Sequence, residues 1–121
     1  MTNKLQTKFK IQSRNRWATI CKELAGLLPI LDREFTYKNC GYCKIYHNYT
    51  YTNACDKNCP LFKKSLCYNG YGVSFRNVQD YYQDCYICIK PMIDIDIALE
   101  SAYKILLAID KDLQKCLPKI N

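Results

Sequence analysis

The stretch "IDIALESAYKILLAIDKDLQKC", residues 95–116, decides the fold class of this 121-residue chain. Ile95, Leu99, Ala102, Leu106, Ile109, Leu113 and Cys116 recur at steps of four and three, which in a helix forms one heptad seam. Ala98, Ile105 and Leu107 widen the apolar surface, so packing on more than one side is expected. Asp94, Asp96 and Glu100 stand near the start and Lys111 and Lys115 near the end, the order the helix dipole favours. Glu100 and Lys104 form an i,i+4 pair of the better polarity, and Pro91 and Pro118 bracket the segment.

Such a seam needs a partner. A second copy of the chain would serve, but an N-terminal helix with its own stripe is the expected one. Trp17, Ile20, Cys21, Leu24, Leu27, Leu28 and Leu31 also recur at threes and fours. Ser13 or Asn15 is a candidate N-cap, and Pro29 opposes continuation. The pattern predicts a helix from about 14 to 28, then a kink or short turn to about 35, preceded by a basic tail.

Hydrophobic content of 49% and charged content of 24% mark a globular chain, and its length suits one domain whose small core a staple would help. The expected division is 1–35 (basic tail and helix), 36–92 (a cysteine- and tyrosine-rich region) and 93–117 (the C-terminal helix). The net charge of +7 is uneven: residues 1–39 carry eight Lys/Arg against three acids, and the first 22 residues carry no acid. A basic end of this kind points to an anionic partner or to plain solubility. The N-terminus has no apolar run of signal-peptide length, and no segment is apolar enough to span a bilayer. A cytoplasmic protein with reduced thiols and no membrane contact is expected.

Residues 39–67 read "NCGYCKIYHNYTYTNACDKNCPLFKKSLC", with five of the chain's nine cysteines and its one histidine. An odd cysteine count excludes a fully paired disulfide framework within one chain. Cys40-Gly-Tyr-Cys43 has the spacing that lets a tight turn aim two thiolates at one metal. Cys55 and Cys59 form a second close pair, Cys67 follows, and Cys85 and Cys88 form another CxxC. Zinc needs four tetrahedral ligands, so a structural zinc site built mainly from Cys40, Cys43, Cys55, Cys59 and Cys67 is expected. A ribbon-like pairing of Cys40 and Cys43 with Cys85 and Cys88 stays open, as does a second zinc. Cys85 and Cys88 also read as small buried hydrophobes in a strand. His47 is a minor candidate ligand. Cys21 and Cys116, each alone on an apolar helix stripe, read as ordinary buried thiols.

This central zone lacks a long periodic run. Turns, loops and short strands or helical turns are expected, with "YGVSFRNV" (71–78) and "CYICI" (85–89) as the strands. The whole reads as a mainly α fold: N- and C-terminal helices packed together around a zinc-stapled loop and short-strand region.

The pattern "CGYC … CDKNCPL … C", over Cys40 to Cys67, resembles small uncharacterised cysteine-rich bacteriophage proteins read as zinc-binding. The resemblance implies zinc and carries no established activity.

An enzyme is not expected. One histidine supports no Cys-His dyad beyond His47, and no Gly-rich phosphate loop, metal-hydrolase motif or deaminase His-x-Glu is present. "CGYC" does not sit in a βαβ unit. The expected role is a non-enzymatic, zinc-stabilised binding protein, a regulator or inhibitor of a larger host protein machine, and monomeric rather than dimeric. The alternative is nucleic-acid binding, with Lys8, Lys10, Arg14 and Arg16 as anion contacts and tyrosines beside lysines for stacking. One continuous basic face with exposed tyrosines would favour nucleic acid; scattered charge with an apolar patch would favour a protein.

Overall fold

Thr2 starts the first helix: its side-chain oxygen accepts from the Leu5 backbone N–H at 3.2 Å. In the computed structural model, which describes residues 2–30, 41–46, 59–63, 66, 73–87 and 89–116, this helix is α1, Asn3–Leu24. It begins well before the expected start near residue 14. The basic segment is therefore the first half of a helix rather than a tail, and the candidate caps Ser13 and Asn15 both lie inside it, Ser13 buried. The reason lies in an extension of the stripe toward the N-terminus. Lys10, Ser13, Trp17, Ile20 and Leu24 step by 3, 4, 3, 4 and are all buried.

The end of α1 also differs from expectation. Gly26, at φ 81°, stops the helix before Pro29 can. The Ala25, Gly26 and Leu27 N–H groups return to the carbonyls of Cys21, Glu23 and Lys22 at 2.9–3.1 Å, which satisfies the helix end. Leu27 and Leu28 consequently leave the stripe and are exposed, and Leu31 lies outside the described residues.

Among the described residues, three shorter helices follow: α2 (Gly41–Tyr46), α3 (Pro60–Lys63) and α4 (Val73–Tyr86). The last, α5, is Ile95–Cys116, within the 93–117 expected to be helical. Asp94 caps it, its carboxylate accepting from the Asp96 N–H at 2.8 Å. The exposed Glu100–Lys104 pair forms at 3.4 Å.

The helix α4 corrects the reading of "YGVSFRNV" and "CYICI" as strands. Ser74, Val78, Tyr81 and Tyr82 are buried and Cys85 packs on the core, at threes and fours. That helical period outweighs the strand preference of Val, Phe and Tyr, which expresses half-buried packing more than backbone preference. Ile87 and Ile89, beyond its end, are exposed; Cys88 lies outside the described residues.

The central element is α5, against which α1, α4 and α3 all pack, while α2 packs on α1. Lys10 pairs with Asp112 and Arg14 with Asp110, an order that sets α1 antiparallel to α5. The buried arc of α5 is Ala98, Ser101, Ala102, Ile105, Ala108, Ile109 and Leu113. It is turned by about 60° from the heptad seam, at 100° per residue. Leu99 and Leu106 sit half-buried at its edge, and Ile95 and Cys116 are exposed. Alanine and serine let neighbouring backbones come close, so the small-residue side wins the centre of the interface. Across it, the Trp17 and Phe75 rings meet edge to face at 5.9 Å and tie α1 to α4. Asn77 donates to the Ser101 hydroxyl at 3.1 Å, tying α4 to α5.

Candidate functional site

Where α1, α2 and α5 meet, a charged cluster is buried. Lys10 has only 7% of its side chain exposed, and its ammonium lies 2.8 Å from Asp112 Oδ2. The same carboxylate oxygen accepts from the Tyr42 hydroxyl at 2.8 Å. Tyr42 is fully buried and stacks on Tyr46, with ring centroids 6.3 Å apart. The Lys10 ammonium lies 5.6 Å from the Tyr42 ring centroid and 5.7 Å from that of Tyr46, so two aromatic rings flank one cation. At the rim, Lys10 Nζ reaches Cys116 Sγ at 3.6 Å.

The charge balance of this cluster decides its chemistry. Burial pulls the Lys10 pKa down, but the hydrogen bond and charge of Asp112, with help from Tyr46, push it above the ordinary lysine value. Burial, then the Asp112 hydrogen bond and charge, hold Tyr42 as the neutral phenol, its pKa well above the ordinary tyrosine range. A lysine held protonated has no lone pair for attack, and a neutral tyrosine that donates to Asp112 is not a base. The cluster is a clamp between helices.

A second buried contact fixes the other end of α1. Glu23 is 2% exposed and accepts from the Tyr82 hydroxyl at 2.6 Å, which joins α1 to α4.

The residues singled out from sequence separate into groups. Of the anion-contact candidates, Lys10 is spent on Asp112 and Arg14 on Asp110, the latter at 3.1 Å with both side chains well exposed. Arg16 is half-buried and engaged within the chain. Lys8 is exposed and pairs with no acid among the described residues. Of the metal candidates, Cys40, Cys55, Cys67, His47 and Cys88 lie outside the described residues, as does the side chain of Cys43, whose backbone is in α2. Cys59 is buried in the core just ahead of α3. Cys85 packs half-buried on the core from the end of α4. Among the described residues, no three His, Cys, Asp or Glu side chains gather as a metal site. Cys21 carries a free, half-buried thiol whose pKa burial raises, and Cys116 carries a free, exposed one.

From sequence, Tyr42 entered only as a tyrosine beside a lysine, and Asp112 was not among the candidates. Asp112 was legible: it falls seven residues after Ile105 and fourteen after Ala98, a carboxylate in core register that requires a partner.

A different surface lies where α4 turns into α5. Tyr86, Ile87, Ile89, Met92, Ile95 and Ile97 are all exposed, Met92 by 92%. Among the described residues, no helix is long and apolar enough to cross a membrane. No family model, no curated protein and no solved structure matches the chain.

Proposed function

We propose that this chain is a non-enzymatic binding protein, stabilised by zinc in its central cysteine region, which acts on a larger protein as a regulator or inhibitor. The observation that carries the reading is the run of exposed apolar side chains from Tyr86 to Ile97. Solvent-exposed apolar residues concentrated in one connection are what a protein partner covers. Two of the four cations first read as anion contacts, Lys10 and Arg14, are spent on α5, which weakens the nucleic-acid alternative. Zinc enters through Cys40, Cys43, Cys55, Cys59 and Cys67, whose number and spacing suit a closed thiolate site. Its role there is structural: it would fasten a segment with little core of its own.

A titration against labelled single- and double-stranded oligonucleotides at three salt concentrations tests the assignment. The protein-binding role predicts no binding at ~0.15 M salt. Binding that weakens steeply with salt, by about one log-log unit per phosphate contacted, would instead establish the nucleic-acid role.

A further inference from the structure

We propose that the outer face of α1 is a docking surface for an acidic polypeptide. The inference rests on the protein-binding role above and names the chemistry of the partner.

Lys4, Lys8, Ile11, Asn15 and Lys22 are all exposed on α1. At 100° per residue they fall within an arc of about 60°, so they form one stripe. No acidic residue precedes Glu23 in the sequence, and Glu23 is buried against Tyr82. The inner cations Lys10 and Arg14 pair with Asp112 and Asp110, whereas Lys4, Lys8 and Lys22 pair with no acid among the described residues. Among the described residues the charges of α1 thus divide by face: Lys10 and Arg14 are matched by acids of α5, and Lys4, Lys8 and Lys22 are not. By contrast, the outer face of α5 carries its own matched Glu100–Lys104 pair.

The pattern of the stripe selects the kind of anion. Lys8 and Lys22 are separated by about 21 Å of helix. Ile11, Gln12 and Asn15, exposed and uncharged, occupy part of that interval. A nucleic-acid strand presents a charge every ~3.4 Å and favours aromatic side chains for stacking. The exposed residues of α1 include no aromatic, and its aromatics Phe9 and Trp17 are half-buried and buried. A polypeptide can set carboxylates opposite the two ends and apolar side chains opposite Ile11 and the exposed Leu5. A lipid surface would need the apolar face of an amphipathic helix, and α1 buries that face on α5.

The test compares two variants of the full chain that each lose three positive charges: K4Q/K8Q/K22Q on the stripe and K90Q/K104Q/K111Q elsewhere on the surface. Labelled poly-L-glutamate is the probe, and a single-stranded oligonucleotide is the comparison. The stripe variant should bind poly-L-glutamate about tenfold more weakly, and the control variant should lose less than about twofold. Ile11→Glu, which puts an acid in the middle of the stripe, should weaken binding without loss of melting temperature. Equal losses in the two triple variants would show that only net charge matters and would overturn the surface while leaving the protein-binding role standing. Tighter binding of the oligonucleotide than of poly-L-glutamate, abolished by the stripe variant, would overturn the proposal and the protein-binding role with it.

Discussion

Lys10 and Asp112 illustrate how a buried ion pair acts in a small core. Taking two charges out of water costs several kcal/mol per ion, and the mutual attraction offsets this only with good geometry. Here the ammonium gains a carboxylate at 2.8 Å and two flanking rings, and the carboxylate gains the Tyr42 hydroxyl. Lys10→Met strands the carboxylate and should destabilise the fold by about 3–5 kcal/mol in urea unfolding. K10M/D112N, which removes the stranded charge but keeps an acceptor for Tyr42, should recover at least half of that loss. A double variant no better than the single would show that the pair is not coupled. The pKa directions also fix a pH dependence. Lys10 and Tyr42 hold their protons more firmly in the folded chain, so their contribution is complete below about pH 10. Above that, the unfolded chain releases its protons first, and stability must fall as pH rises. Cys21, raised from 9.0 by burial, starts the same trend slightly earlier. Urea melts between about pH 8 and about pH 11 should show the decline, and K10M/Y42F should show less of it. This pair was legible in part. Lys10 continues the α1 stripe one heptad before Trp17, but a stripe counted on apolar letters alone ends before it reaches a lysine.

At the scale of the helices, sequence pattern placed a helix over 93–117, within two residues of α5 at each end, and located its partner, because a sustained heptad has few other ways to bury itself. It set the centre of the inward side about 60° away. Ala102, Ile109 and Leu113 of the seam are buried, but Leu99 and Leu106 sit at the edge, and Ala98, Ser101, Ile105 and Ala108 complete the buried arc. Two alanine variants distinguish the arrangements. Ile105 is 1% exposed, so Ile105→Ala should cost about 2–5 kcal/mol. Leu106 is half-buried at the edge, and Leu106→Ala should cost clearly less in the same unfolding assay. The reverse order would put the seam back at the centre. The misreading of α4 has a different origin. Val73, Phe75, Val78, Tyr81 and Tyr82 favour strands when counted by type, and glycine and asparagine ahead of them suggest a turn. Only spacing separates the cases, and the spacing of Ser74, Val78, Tyr81, Tyr82 and Cys85 is helical.

At the scale of the whole molecule, the cysteine region and the helix assembly meet at Tyr42, which stands between Cys40 and Cys43 and donates to Asp112 on α5. Zinc held by this region would fix α2 and, through Tyr42, the clamp on Lys10. Elemental analysis of the reduced protein should find about one zinc per chain and at most two. Chelation should lower the melting temperature, and Tyr42→Phe should reduce that sensitivity by uncoupling α2 from Asp112. A metal-free, reduced protein with an unchanged melting temperature would end the zinc assignment. The cysteine spacing carries the zinc proposal but leaves the choice among ligand sets open, because ligation would depend on how the pairs meet in space. The proposed binding role would draw on two unlike surfaces, the exposed apolar side chains between Tyr86 and Ile97 and the outer lysines of α1. The most direct measurement of that role is a pull-down with the full chain from native lysate, run in parallel with and without nuclease. One defined protein should be retained at the same level in both arms. Capture that disappears on nuclease treatment, with nucleic acid recovered from the untreated arm, would contradict it.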